Sequence, residues 1–222
     1  MNGRLEIRLP IYMGMFMAQM SMSMWMSMSA SAQPSLQSIG CVTRPGALCA
    51  DMNLGGIDMH GKDLDNAQFT RSKLRASDLH GATFKRADLS NADIRNSDLR
   101  RTSFERADLH YADFTGSVMT GADFSRANLQ NAQLAHADMQ EAKMVSADLS
   151  GANLGAARLQ KADLERANFR AADLRGASLA GANLDGAIFA NADLRGADLS
   201  AANIARTSFD GALTSGCKGC PQ

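Results

Sequence analysis

The sequence predicts an all-β fold in which one short unit repeats and winds into a stack of parallel coils. Three observations predict it. A large apolar residue recurs at every fifth position from Leu54 to Phe209 without one insertion, and these 32 sites hold 18 Leu, 8 Phe, 4 Met and 2 Ile. Two positions earlier the residue is small: Ala at 23 of the sites, Ser at 4 and Thr at 2. Two positions later Gly is frequent, as at Gly176, Gly181, Gly186 and Gly196. Helices repeat about every 3.6 residues and strands about every 2, so a period of five belongs to neither alone.

The unit can be built from these preferences. In extended chain, residues two apart point the same way. The small and the large residue therefore both face inward, and the residue between them, usually Asp or Asn as in Asp163, Asn168 and Asp173, faces out. Two further residues must reset the phase, and Gly, Asn and Ser suit such a turn. Identical corners wind the chain into a coil. Successive coils then stack by parallel backbone hydrogen bonds at roughly 4.8 Å. The inward small residue is small because the corner leaves a narrow bore, where packing tolerates little excess volume.

The elements follow in chain order. Residues 1–32 carry Arg4 and Arg8, then the weakly charged run 11–28, then Ala30-Ser31-Ala32. A basic stretch, an apolar stretch and a small-x-small site are the marks of an export signal, here with cleavage after Ala32. The run contains Ser and Gln and makes a poor permanent span, so membrane contact is expected only through an uncleaved signal. A lipoprotein site at Ser38-Ile39-Gly40-Cys41 is the weaker reading, because Ser stands where Leu is usual. Removing the signal leaves 21 basic and 22 acidic side chains. The expected location is periplasmic or secreted.

Residues 33–51 are expected to cap the first coil and 212–222 to form a short tail. The four cysteines fall outside the repeats, Cys41 with Cys49 and Cys217 with Cys220. An export signal with an even cysteine count makes two disulfide clips the expectation. A single four-thiolate zinc site would need all four sulfurs together, whereas stacked coils put the pairs at opposite ends. A redox role for Cys217-Lys218-Gly219-Cys220 lacks the strand–helix setting of a thioredoxin-like motif.

The tandem A(D/N)LXX pattern resembles the pentapeptide-repeat proteins, over residues 52–211. The resemblance implies a right-handed quadrilateral parallel β-helix with four pentapeptides per coil. Thirty-two units then make about eight coils and a rod of about 40 Å. Residues twenty apart should stack, which puts Phe84, Phe104 and Phe124 in one column and Phe169, Phe189 and Phe209 in another.

Chemistry is scarce on such a rod. A filled bore offers no pocket, so no small-molecule substrate, cofactor or metal is expected, and no catalytic residue is assigned. The outward Asp and Asn belong beside turns. His60 and His80 should stack, with no third ligand column beside them. Lys+Arg and Asp+Glu are both 23, which excludes bulk steering toward nucleic acid or an anionic membrane. One departure stands out: Arg86, Arg106, Arg126, Arg166 and Arg206 share a column and form a candidate strip for an anion or an acidic partner. Salt bridges to Asp88, Asp108 and Asp148 in the neighbouring column are the competing expectation. No aromatic platform is expected outside the bore, which disfavours single-stranded nucleic acid.

These observations point to a non-enzymatic exported scaffold whose flat faces bind an unknown protein partner, with end-to-end stacking as the route to an oligomer. Two alternatives stand beside it. One is a secreted effector acting on host proteins or membranes. The other comes from the resemblance: some pentapeptide-repeat proteins mimic duplex DNA and protect DNA gyrase from quinolones. That mechanism uses a strongly acidic cytosolic rod and a C-terminal dimerising helix. This chain is neutral and leaves a short tail after Phe209.

Overall fold

Every backbone bridge joins residues twenty apart and runs parallel, from Leu48 with Gln68 to Asp198 with Lys218. The structure is a computed structural model, and it describes residues 41–221. The expected signal, its cleavage site and residues 33–40 of the cap lie outside the described residues. An offset of twenty is four pentapeptides, so each coil has four sides. The bridging residue on each side is the one before the large apolar residue, and it is a single bridge rather than a longer strand.

One pentapeptide shows why the unit closes. In Ala107–Tyr111 the Ala107 N–H donates to Phe104 O at 2.9 Å across the preceding corner. Asp108 N–H donates to Ala87 O at 2.9 Å in the coil before. Leu109 N–H and Tyr111 N–H donate to Asn128 O and Gln130 O in the coil after, at 2.8 and 3.0 Å. One donor remains, the N–H of His110 at the corner. The Asp108 carboxylate accepts it at 3.3 Å. The same contact recurs at Ser90 with Asp88, Thr115 with Asp113 and Ser150 with Asp148. Asp and Asn thus do more than face outward beside the turn. Most of them supply the acceptor for the one backbone donor that the ladder leaves over, an Asx-turn, while Asp93 gives its oxygens to Arg75 and Arg95 instead.

The second corner residue has positive φ in every unit. Gly occupies it at Gly116, Gly151 and Gly211, and non-glycine residues occupy it at 22 positions, including Arg86 at 55° and Asn96 at 56°. Positive φ at the third of four turn residues is the pattern a type II turn requires. Asn tolerates that conformation best among residues with a side chain. At three places an Asn leans over the glycine of the next coil. A Cβ on Gly116, Gly151 or Gly211 would meet the amide oxygen of Asn96, Asn131 or Asn191 at 2.7, 2.5 and 2.5 Å.

The bore is filled as the periodicity predicts. From Leu64 to Leu199 the large apolar side chains are at most 1 % exposed. Phe84 stacks on Phe104 at 5.3 Å and Phe104 on Phe124 at 5.0 Å; Phe169, Phe189 and Phe209 stack at 4.7 and 5.3 Å. Phe114 meets Phe104 and Phe124 edge-on at 6.0 and 6.1 Å. Where the small inward residue carries a hydroxyl, the coil before usually accepts it; Ser72, whose Oγ is buried without a partner among the described residues, is the exception. Ser97 Oγ donates to Leu74 O, Ser117 Oγ to Ile94 O, and Thr102 Oγ1 to Leu79 O, at 2.8, 2.8 and 2.9 Å. Ser77 and Ser97 also turn their N–H groups to the hydroxyls of Ser97 and Ser117, both at 3.2 Å, so a polar thread runs through the bore wall.

The two disulfides pair as expected, Cys41 with Cys49 and Cys217 with Cys220, with Cα separations of 5.2 and 5.7 Å. Cys41 and Cys49 are fully buried under the first coil. At the other end Leu213 and Lys218 still bridge to Asp193 and Asp198. The chain then folds over the coil before it: a Cβ on Gly219 would lie 2.7 Å from Leu199 O, so only glycine fits this approach. That turn covers one side. Ile204, Phe209 and Ala212 remain partly exposed.

The two Phe columns make a sharp contrast testable by urea unfolding. Phe104→Ala, in mid-bore with stacked rings on both sides, should lose about 3–5 kcal/mol. Phe209→Ala, partly exposed at the last coil, should lose less than half of that. Equal losses would mean the bore is not the source of stability.

Candidate functional site

Position within the pentapeptide decides what a charged side chain does. An Arg in the first corner position lies two residues after an Asp and folds back onto it. Arg95 pairs with Asp93 at 2.9 Å, Arg175 with Asp173 and Arg195 with Asp193 at 2.6 Å, and Arg100 with Asp98. Arg75 lacks an acid two residues before it and reaches Asp93 in the next coil instead. Arg75, Arg95, Arg175 and Arg195, which share one corner column, are therefore neutralised along it. The D-x-R spacing carried that signal in the sequence.

The hydrogen bonds from Arg100 hold the Asp98 carboxyl below the ordinary carboxylate range, and burial only partly offsets them. Arg175 and Arg195 do the same to Asp173 and Asp193. A carboxylate depressed in the folded chain binds protons less readily than in the unfolded one. Its contribution is full above the unfolded value and is lost as pH falls through the folded one.

Arginines in the second corner position behave differently. Arg86, Arg106, Arg126, Arg166 and Arg206 share one corner column, all exposed and all at positive φ. The expected salt bridges to Asp88, Asp108 and Asp148 are absent, because those carboxylates are tied to the far corner of their own side. Asp88 takes Thr70 Oγ1 and the Ser90 N–H, both at 2.9 Å. Asp108 takes His110 Nδ1 at 2.7 Å and Asn128 Nδ2 at 3.0 Å. Asp148 takes Gln130 Nε2 at 2.6 Å and Asn168 Nδ2 at 2.9 Å. The ladder instead meets acids in its own corner: Arg106 with Glu105 at 3.7 Å, Arg166 with Glu165 at 3.5 Å, and Arg206 with Asp185. Arg86 and Arg126 have no acidic partner among the described residues. The strip thus divides into a lower half, Arg86 to Arg126, that is largely uncompensated, and an upper half that is paired.

His60 and His80 stack with centroids 6.0 Å apart. Among the described residues no group of three His, Cys, Asp or Glu side chains converges to hold a metal, and no helix is long and apolar enough to cross a membrane. An open surface depression lined by Asn96, Ser97, Asp98, Arg100, Gly116 and Val118 lies where Gly116 leaves a corner bare. Of its lining groups, Ser97 is already paired with Leu74 O of the coil before and Asp98 with Arg100.

A filled four-sided coil with functional groups only on its faces and corners defines a repeat solenoid, a protein that acts through surface and shape. The sequence model of the pentapeptide repeats matches the chain in eight copies, over residues 47–91, 82–121, 107–144, 117–155, 147–186 and 177–213. The chain belongs to the pentapeptide-repeat family, whose members fold as right-handed quadrilateral β-helices. No curated protein sequence matches it. Among solved structures it is similar to HetL, a pentapeptide repeat protein involved in heterocyst differentiation regulation from the cyanobacterium Nostoc sp. strain PCC 7120. That match has 28% identity, 82% of this chain and 93% of HetL covered, and a TM-score of 0.52. Trypsin-treated QnrB1, a plasmid-mediated fluoroquinolone resistance protein, matches at 22% identity over 77% of this chain and 88% of its own, with a TM-score of 0.63. At that identity the second likeness is one of fold.

Asp98 separates the two duties of the Asx position. Asp98→Ala removes both the acceptor for the Arg100 N–H and the ion pair, and should cost about 1 kcal/mol. Asp98→Asn keeps the acceptor and should cost about half of that or less. In urea titrations the gap between wild type and the Asn variant should close below about pH 4. A gap that widens with acid would contradict the pairing.

Proposed function

We propose that this protein is a non-enzymatic exported scaffold of about eight coils that presents solenoid faces to a protein partner. One observation carries the reading: the bore is filled by its own side chains, so the groups free to act are those arrayed on flat faces and corners. Rigid regular surfaces suit protein contact, and repeat solenoids commonly bind along their faces. The basic residues left uncompensated on one corner give such a face a direction and a sign.

Export is read from residues 1–32 and is supported by cysteines that lie within disulfide reach at both ends of the repeats, the pattern of an oxidising compartment. The partly exposed Ile204, Phe209 and Ala212 make the last coil the place where a second copy would stack. Gyrase protection, the alternative drawn from the family resemblance, rests here on likeness of fold to QnrB1, a plasmid-mediated fluoroquinolone resistance protein. The balanced charge of this chain, 23 basic and 23 acidic, does not provide an acidic DNA-like surface.

Fusion of alkaline phosphatase after Ala32 and cell fractionation test the location, and pull-down with the mature chain tests the role. Periplasmic or secreted reporter activity and specific recovery of a protein partner are the expected results. Retention of the intact chain in the cytosol would overturn export. Recovery of gyrase would replace this reading with the protective one.

A further inference from the structure

The second corner position is left-handed in every unit, and glycine is the residue least strained there. One corner column nonetheless holds five arginines and two glycines, Gly46 and Gly186. Arg86, Arg106 and Arg126 sit at φ 55°, 59° and 59° in three successive coils. Nothing in the coil requires them: their hydrogen-bonding heads make one contact between them, Arg106 with Glu105 at 3.7 Å. Non-glycine residues hold this position at 22 corners, so what sets the column apart is the same cation on three successive rungs with almost no acidic partner, and that points to a use outside the fold.

The neighbourhood sharpens the chemistry. Lys85 flanks the ladder, and Arg101 stands on the opposite edge of the same side. Between the two edges lie the neutral Thr83 and Ser103 and, on the third rung, Asp123, whose carboxylate accepts the Ser125 N–H at 2.9 Å. The rungs are set by the coils. Phe84, Phe104 and Phe124 on the same coils stack at 5.3 and 5.0 Å, so Arg86 to Arg126 spans about 10 Å, two rises of roughly 4.8 Å. On an α-helix, residues i, i+3 or i+4, and i+7 share a face, and i to i+7 rises about 10.5 Å. On an extended chain, same-side residues recur about every 6.7 Å and fall out of register with the rungs. Single-stranded nucleic acid would want an aromatic platform, but the phenylalanines beneath the ladder are fully buried and the exposed Tyr111 lies on another corner. Duplex DNA would want an element that enters a groove, and a flat corner provides none.

We infer that the corner formed by Arg86, Arg106 and Arg126 docks an acidic helix of a partner protein, whose carboxylates at i, i+3 or i+4, and i+7 meet successive rungs. The inference rests on the scaffold reading and names the partner surface it needs.

The test is an NMR titration of the full chain at low salt with two Ala-based peptides of about 20 residues and the same composition, long enough to form helix. One carries Glu along a single face, and the other has Glu scattered around the helix. The single-face peptide should shift the resonances of this corner and bind more tightly than the scattered one. Arg86→Gly/Arg106→Gly/Arg126→Gly should weaken it about tenfold, the sum of three modest exposed pairs. Arg166→Gly/Arg206→Gly should leave it unchanged. The triple glycine variant should melt at or above the wild-type temperature, because glycine relieves the corners. No shift at millimolar peptide, equal binding by the triple variant, equal binding of the two peptides, or displacement by a short DNA duplex would each overturn the proposal. Its failure leaves the reporter and fractionation result standing, and a chain that binds the peptide but stays in the cytosol overturns export alone.

Discussion

The structure depends on one constraint: the parallel ladder between coils twenty residues apart must use every backbone donor that faces a neighbour. Within a pentapeptide three N–H groups reach adjacent coils and a fourth closes the turn, as Ala107–Tyr111 shows. The fifth, at the corner, has no carbonyl to meet. A buried or half-buried donor left alone would cost about 1–3 kcal/mol, and this repeats at every corner. The Asp or Asn before the large apolar residue removes that cost with an oxygen at the right place. The motif A(D/N)LXX is therefore a statement about hydrogen bonds as much as about burial. Ala clears the bore, Leu fills it, and the acid or amide completes the corner.

The same constraint sorts the charges. An Asp fixed to its own corner donor cannot swing toward a cation on the other side of its face. Asp88, Asp108 and Asp148 are held this way, and the arginine ladder beside them goes without their charge. A cation in the first corner position lies next to the bound carboxylate and is neutralised by it, as Arg95 and Arg175 are. A cation in the second position is out of reach of that carboxylate and depends on an acid at its own corner, as Arg71 meets Asp51 and Arg206 meets Asp185. The surface potential of the rod thus follows from sequence phase, even though the chain carries no net charge.

Stability and function are accordingly separated in this protein. The interior is generic: stacked phenylalanines, leucines and alanines that many such chains would share. The thread of Ser77, Ser97 and Ser117 alters the wall of the bore without reaching the surface. What distinguishes this chain lies on the corners and at the ends, where residues can change without disturbing the ladder. That is why an arginine can persist at a position glycine would fill with less strain.

Much of this was legible in the sequence. The period of five, the inward Leu and Phe, the stacked columns Phe84–Phe104–Phe124 and Phe169–Phe189–Phe209, and the pairing of the four cysteines all follow from spacing, because a strict repeat maps sequence distance directly onto space. The D-x-R ion pairs were present in the sequence as a pattern. Only the tertiary structure decided which acid each cation meets, since that depends on where a carboxylate is already engaged. It also decided that Arg86, Arg106 and Arg126 stand apart from Arg166 and Arg206, because the nearest acids of the upper pair, Glu165 and Asp185, lie within reach and those of the lower three mostly do not. Sequence spacing fixes columns. Direction within a column is set by the hydrogen bond each side chain makes first.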